Sequence, residues 1–139
     1  QDAIQKGGKV MVGGHKIDGQ FFEPTVIANA SADMLCAREE TFGPFAPVFR
    51  FHQDQEAIDA ANNTEFGLAS YFYSRDIGRI YRVSEALEYG MVGINVGIIA
   101  TEHVPFGGVK QSGLGREGSQ HGMDEYLEMK YLCLGDILK

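Results

Sequence analysis

Residues 68–96 read LASYFYSRDIGRIYRVSEALEYGMVGINV. Leu68 to Tyr73 is an apolar and aromatic run of strand type, and Ser74 or Asp76 then supplies a helix cap. Beyond the cap, Ile77, Ile80, Tyr81, Ser84 and Leu87 recur at i, i+3, i+4, i+7 and i+10, while Glu85 falls off that stripe. Gly90 stops the helix. Met91 to Val96 follows, apolar without alternation, as a strand covered on both faces would be. The same rhythm extends backwards. Ala46 to Phe51 reads as a strand, Asp54 opens a helix to about Asn63 with Ala57, Ile58 and Ala61 on one face, and Gly67 ends that turn. Strand–helix–strand–helix–strand with short connections predicts parallel crossovers in one sheet, hence an α/β fold with a mainly parallel sheet and flanking helices.

The flanks are less regular. Ile4 to Gly14 reads as a helix end broken at Gly7-Gly8, a short strand Val10-Met11-Val12, and a glycine turn. Gln20 to Ile27 is extended, with Pro24 marking an edge or an irregularity. Gly107 to Gly122 holds six glycines. Ordering such a segment costs about 1–2 kcal/mol of backbone entropy per residue. The loop is therefore expected to be held by a ligand, a neighbouring subunit or the rest of a larger protein. Leu127 to Leu134 reads as a final strand.

Composition narrows the function. The 139 residues suit one domain or part of one, and 44% are apolar, enough for a core. A net charge of −7 argues against nucleic acid as a partner, because phosphate binding needs a basic face. Arg75, Arg79 and Arg82 share helical spacing but are mixed with acids, as on a solvated face. No apolar run approaches membrane-span length, and the opening at Gln1 lacks a charged segment followed by an apolar one. The expectation is a processed, truncated or partial chain without membrane attachment. Cys36 and Cys133 are far apart, and His15, His52, His103 and His121 do not cluster, so no metal site is expected and a reducing, cytoplasmic setting fits.

Individual motifs are weak alone. Gly113-Leu114-Gly115-Arg116-Glu117-Gly118 satisfies G-x-G-x-x-G, but no buried strand precedes it, and Arg116 and Glu117 stand where a pyrophosphate would lie. Cys36, between Leu35 and Ala37, reads as a packing thiol. Ser112 and Ser119 lack the G-x-S-x-G setting, and His103 beside Glu102 would ordinarily point away from it. Glu40 stands near Phe42 just before Gly43-Pro44. A carboxylate accepts two ribose hydroxyl bonds and an aromatic ring packs on a flat heterocycle, although a surface acid before a turn is the ordinary reading.

Taken together, four blocks resemble the aldehyde dehydrogenase superfamily in order and spacing. They are Glu39-Glu40-Thr41-Phe42-Gly43-Pro44, Asn63 to Ala69, Gly93-Ile94-Asn95, and Pro105 to Gly118. The resemblance covers essentially the whole chain. Glu88 to Asn95 and Asp124 to Tyr131 look most like succinate-semialdehyde dehydrogenase.

The resemblance implies an NAD- or NADP-dependent oxidation of a small aldehyde to its acid, with succinate semialdehyde the indicated substrate. Thiolate attack, hydride transfer and hydrolysis through a glutamate base make up that family's reaction. By resemblance Glu40 holds the nicotinamide ribose hydroxyls and Phe42 lies beside the nicotinamide ring. Phe106 lines the substrate pocket, and Asn95 sits on the strand supporting it. The last strand pairs with another subunit, giving a homo-oligomer. On this reading residues 1–122 are the later half of the catalytic domain and 123–139 an oligomerisation tail.

Two departures stand beside these expectations. The nucleophile, base and oxyanion-hole motifs of the family do not occur here, so no catalytic residue is assigned and the chain alone is expected to be inactive. Ala100 occupies a position where the semialdehyde enzymes carry a serine that holds the substrate carboxylate. A hydrogen bond lost to a charged group is worth about 1.5–3 kcal/mol, which weakens succinate semialdehyde relative to another aldehyde. The rival expectation is a non-catalytic assembly module that associates through its tail.

Overall fold

A computed structural model describes residues 1–137. Contacts divide the chain into two units, Gln1–Thr64 and a second beginning at Glu65.

The first unit runs α1 (Asp2–Gln5), β1 (Lys9–Val12), β2 (Thr25–Ala30), a 3₁₀ turn (Leu35–Ala37), β3 (Phe45–Phe49) and α2 (Asp54–Asn62). β2 is central, antiparallel to β1 and parallel to β3. Pro47, which has no N–H to give a ladder, stands on the edge strand β3. The core is small: Ala3, Ile27 and Met34, flanked by Val10, Ala30, Cys36 and Phe45. Thr25 is buried with its hydroxyl satisfied, donating to the Glu23 carbonyl and accepting from Gly14 N. Asp54 does not cap α2 but is its first residue; instead Glu56 reaches back to accept from His52 N at 2.9 Å.

The second unit holds β4 (Phe66–Gly67), β5 (Ala69–Phe72), α3 (Ile77–Ala86), β6 (Met91–Ile94), β7 (Val109–Lys110) and a 3₁₀ helix (Gln120–Tyr126). β5 and β6 are parallel neighbours with α3 as their crossover. β4 pairs antiparallel with β7. Asp76 is the α3 cap, its carboxylate accepting from Arg79 N at 3.0 Å.

One expectation is corrected. The strand–helix alternation does not generate one sheet among the described residues. β3 and β5 lie in different sheets, and two of the four strand pairings are antiparallel. Alternation fixes the order of elements, whereas neighbours are chosen by the faces that need cover. The expected final strand also enters no sheet of its own chain: residues 127–136 carry no strand pairing, although Leu127 has extended backbone at φ −119° and ψ 143°. Leu138 and Lys139 of that expected tail lie outside the described residues.

Apolar surface is plentiful. The α3 stripe is only partly covered: Ile80, Ser84 and Leu87 are half-buried, but Ile77 is 67% and Tyr81 64% exposed. The accessible surface is 11215 Å². A compact 15.3-kDa monomer would expose about 7,100 Å². Even two separate compact halves would expose about 8,600 Å².

Candidate functional site

The loop from Arg38 to Pro44 carries Glu40 and Phe42 between the 3₁₀ turn and β3. Its entry is set by Arg38 and Glu39, whose amides both donate to the Leu35 carbonyl. Its exit is set by Thr25 N, which donates to the Pro44 carbonyl at 2.8 Å, while Gly43 N and Phe45 N close tight turns on Thr41 and Gly43. The backbone is thus anchored at both ends while the side chains face water. Phe42 is 97% exposed, and the Glu40 carboxylate makes no hydrogen bond or ion pair among the described residues. A flat apolar ring and an unengaged acceptor, two residues apart on an anchored loop, fit the stacking and hydroxyl-binding needs of a nicotinamide ribose.

Phe106 belongs to the second unit and is half-buried. It begins a loop whose neck is closed by two backbone bonds of 2.8 Å, Phe106 N to the Glu117 carbonyl and Glu117 N to the Phe106 carbonyl. Within the loop, Arg116 Nη1 donates to the Gly108 carbonyl at 2.8 Å and to the Gly115 carbonyl at 2.7 Å. The tip is pinned to β4 by Gly67 N donating to Ser112 Oγ at 2.9 Å and by Gln111 N donating to the Glu65 carbonyl. Lys110 adds an ion pair to Glu88 at 2.6 Å. The glycine-rich segment is therefore held at these points by its own chain, a holder the sequence expectation did not include. Phe106, Leu114, Arg116 and Tyr126 line a cavity of about 340 Å³. Ala100 is exposed and does not line that cavity.

Glu40 and Phe42 are thus close to each other in one unit, and Ala100 and Phe106 follow one another in the other. Cys36 packs against the Ala3–Ile27–Met34 core. Glu102 and His103 do not point apart as their adjacency suggests: His103 Nε2 is 3.0 Å from Glu102 Oε1, but both are 81% exposed, which makes a solvent-screened surface pair. Among the described residues no three His, Cys, Asp or Glu side chains converge as a metal site would require, and no helix is long and apolar enough to cross a membrane.

Sequence reasoning named Arg116 and Ser112 only to set other motifs aside and missed that they shape the Phe106 loop. One signal was present. A lone arginine among glycines has main-chain carbonyls as its nearest acceptors.

Known proteins extend this picture. The chain is 62% identical over 138 residues to the 3-sulfolactaldehyde dehydrogenase of Pseudomonas putida, covering 98% of this chain and 28% of that protein. It is 60% identical over 134 residues to a glutarate-semialdehyde dehydrogenase of Pseudomonas putida, covering 96% and 28%. The crystal structure of succinate-semialdehyde dehydrogenase from Burkholderia pseudomallei superposes with a TM-score of 0.93 at 61% identity, covering 96% of this chain and 28% of that one. The chain spans little more than a quarter of the length of the relatives it matches. Residues 1–132 match the aldehyde dehydrogenase family, a family of oxidoreductases that use NAD or NADP, and the chain belongs to it.

Proposed function

We propose that this chain is the C-terminal share of an NAD(P)+-dependent aldehyde dehydrogenase. The observation that carries the reading is identity near 60% over almost the whole chain to dehydrogenases about three and a half times its length. The exposed apolar surface supports it, since the partly covered α3 stripe and the excess of exposed area suit a polypeptide packed against further chain.

In this reading Glu40 accepts hydrogen bonds from the nicotinamide ribose hydroxyls, and Phe42 lies along the nicotinamide ring. NAD or NADP supplies the hydride acceptor when bound. Phe106 and Ala100 belong to the substrate wall. Neither cysteine is taken as a nucleophile, because Cys36 packs half-buried against the core and Cys133 lies on the tail. The 139-residue chain alone is therefore inactive. Residues 123–139 act as an oligomerisation tail, in which the exposed Met129, Tyr131, Leu132 and Leu134 find cover against another subunit. A cytoplasmic setting goes with this reading.

The substrate class is a small aldehyde bearing an anionic group at its far end. The relatives above act, by their names, on sulfolactaldehyde, glutarate semialdehyde and succinate semialdehyde, all aldehydes with an acid group. Succinate semialdehyde leads this set. Ala100 offers no hydroxyl to its carboxylate, so the anion is held by other residues.

The test uses the complete polypeptide that carries this segment, assayed for coenzyme reduction with these three aldehydes and with butanal. Saturable turnover favouring the acidic aldehydes, with coenzyme KM raised by Glu40→Gln, is the expected result. Absence of coenzyme reduction with every aldehyde sinks the reading. The 139-residue chain assayed alone is expected to give no turnover, and sedimentation of the intact protein as a strict monomer would remove the role given to the tail.

A further inference from the structure

The Phe106 loop contains a charged side chain to which that reaction gives no task. Arg116 is half-buried, and its guanidinium turns inward to the main chain instead of outward to solvent. One nitrogen, Nη1, bridges the carbonyls of Gly108 and Gly115, residues seven apart on opposite limbs of the loop. The side chain crosses directly over Gly107, the residue that follows Phe106. A Cβ placed on Gly107 would stand 2.8 Å from Arg116 Cδ and 3.3 Å from Arg116 Nη1. Gly107 is thus the gap through which Arg116 passes. Glu117, the next residue, makes both backbone bonds with Phe106.

Resting on the functional reading above, we propose that Arg116 is a positioning residue for the aromatic wall of the substrate pocket, fixing Phe106 by tying Gly108, two residues on, to the returning limb of the loop. The physical reason is loop entropy. Glycines leave the limbs free to slide, and a charge-assisted bond from one nitrogen to both limbs removes that freedom. The neck bonds alone set the Phe106 main chain at one point. The Arg116 bridge adds a second point two residues away, and two points fix an orientation. Glu117 and Glu125 also line the cavity, so an anionic ligand on Arg116 would meet two carboxylates. The main-chain role is the one this geometry favours.

The test uses the complete enzyme carrying Arg116→Met, which keeps the apolar stem and removes every donor. Aldehyde KM should rise about tenfold, as a displaced positioning group of this kind allows, while coenzyme KM stays at the wild-type value. Arg116→Lys, whose ammonium can still reach carbonyls, should recover most of the loss. A double-mutant cycle with Phe106→Leu should be non-additive, because Arg116 acts through Phe106. A lowered Tm with unchanged aldehyde KM, or strict additivity with Phe106→Leu, would overturn the proposal by making Arg116 merely a loop stabiliser. If Arg116→Met does not accumulate as folded protein, Arg116→Gln is judged by the same KM criterion. Wild-type enzyme that reduces no coenzyme with any aldehyde refutes the functional reading instead, so the two failures are told apart.

Discussion

The side-chain amide of Asn95 grips the backbone of Ser74 at both of its polar groups. Ser74 N donates to Asn95 Oδ1 and Asn95 Nδ2 donates to the Ser74 carbonyl, each at 2.8 Å. Asn95 N itself donates to the Phe72 carbonyl at 2.9 Å. The ladder between β5 and β6 is thereby carried one residue past its end by a side chain, and the entry to α3 is fixed. Asn95 has φ +57°, a region where asparagine is at home and most side chains are strained.

Two separable terms follow from that geometry. Asn95→Ala should cost about 2–4 kcal/mol, from two lost hydrogen bonds and the left-handed backbone. Asn95→Gly loses the bonds but not the conformation and should cost about 1–2 kcal/mol. Denaturant unfolding of the complete polypeptide measures both. Equal values for the two variants would show that backbone strain contributes nothing here.

How much of this was readable in the sequence depends on range. α3 was legible because its signals are local: a stripe from Ile77 to Leu87 and Asp76 within reach of Arg79 N. The parallel partnership of β5 and β6 was also in reach, since a ten-residue helix between two apolar runs leaves few alternatives. Sheet membership was not legible. Nothing in Ala46 to Phe51 says that its neighbour is Thr25–Ala30, and the one-sheet expectation failed there. Glu40 and Phe42 came from resemblance, because an acid and an aromatic before a turn are common on any surface. Arg116 was legible only as a charge unsuited to a pyrophosphate site; its glycine surroundings hinted at main-chain partners, but not at which carbonyls it would bridge.

The bond from Gly67 N to Ser112 Oγ spans 45 residues and is the only side-chain pin between the glycine loop tip and β4 that involves a hydroxyl among the described residues. Ser112→Ala leaves a buried glycine with an unpaired amide, a cost of about 1–3 kcal/mol. Hydrogen exchange should locate the effect. The Gly67 amide should lose protection before the β5–β6 amides do, and uniform loss across the unit would contradict a local pin.

Gly90 meets the same loop from the other side. Its amide donates to the Gly67 carbonyl at 3.0 Å, and a Cβ at Gly90 would stand 2.0 Å from the Gly107 carbonyl oxygen and 2.8 Å from Gly108 Cα. The obstruction is the backbone of Gly107 and Gly108, so no rotamer change relieves it. Gly90→Ala should destabilise by about 1–3 kcal/mol or more and push the loop outward. Limited proteolysis should cut between Gly107 and Arg116 in the variant sooner than in the wild type. An unchanged cleavage pattern together with an unchanged Tm would mean that the loop yields freely.

Acid sensitivity provides the last prediction. The Asp76 carboxyl is held below its ordinary value of 3.8, first by the hydrogen bond from Arg79 N and further by that from Gly78 N and the nearby Arg82 and Arg79 charges, against a smaller opposing effect of desolvation. A carboxyl whose folded pKa is depressed stabilises the fold fully above its unfolded value, and that contribution is lost as pH falls through the folded value. The Asp76 share of stability should therefore be constant above about pH 5 and decline below about pH 4. Asp76→Asn keeps an N-cap acceptor but has no proton to gain, so it should flatten that part of the profile and leave neutral-pH stability nearly unchanged. Asp2 and Asp33, whose carboxyls are lowered by Lys6 and by the Ser31 hydroxyl respectively, keep titrating in the variant and set the residual slope. Tm measured from pH 6 to pH 3 in both proteins gives the comparison. Parallel curves would show that the cap of α3 bears none of the acid response.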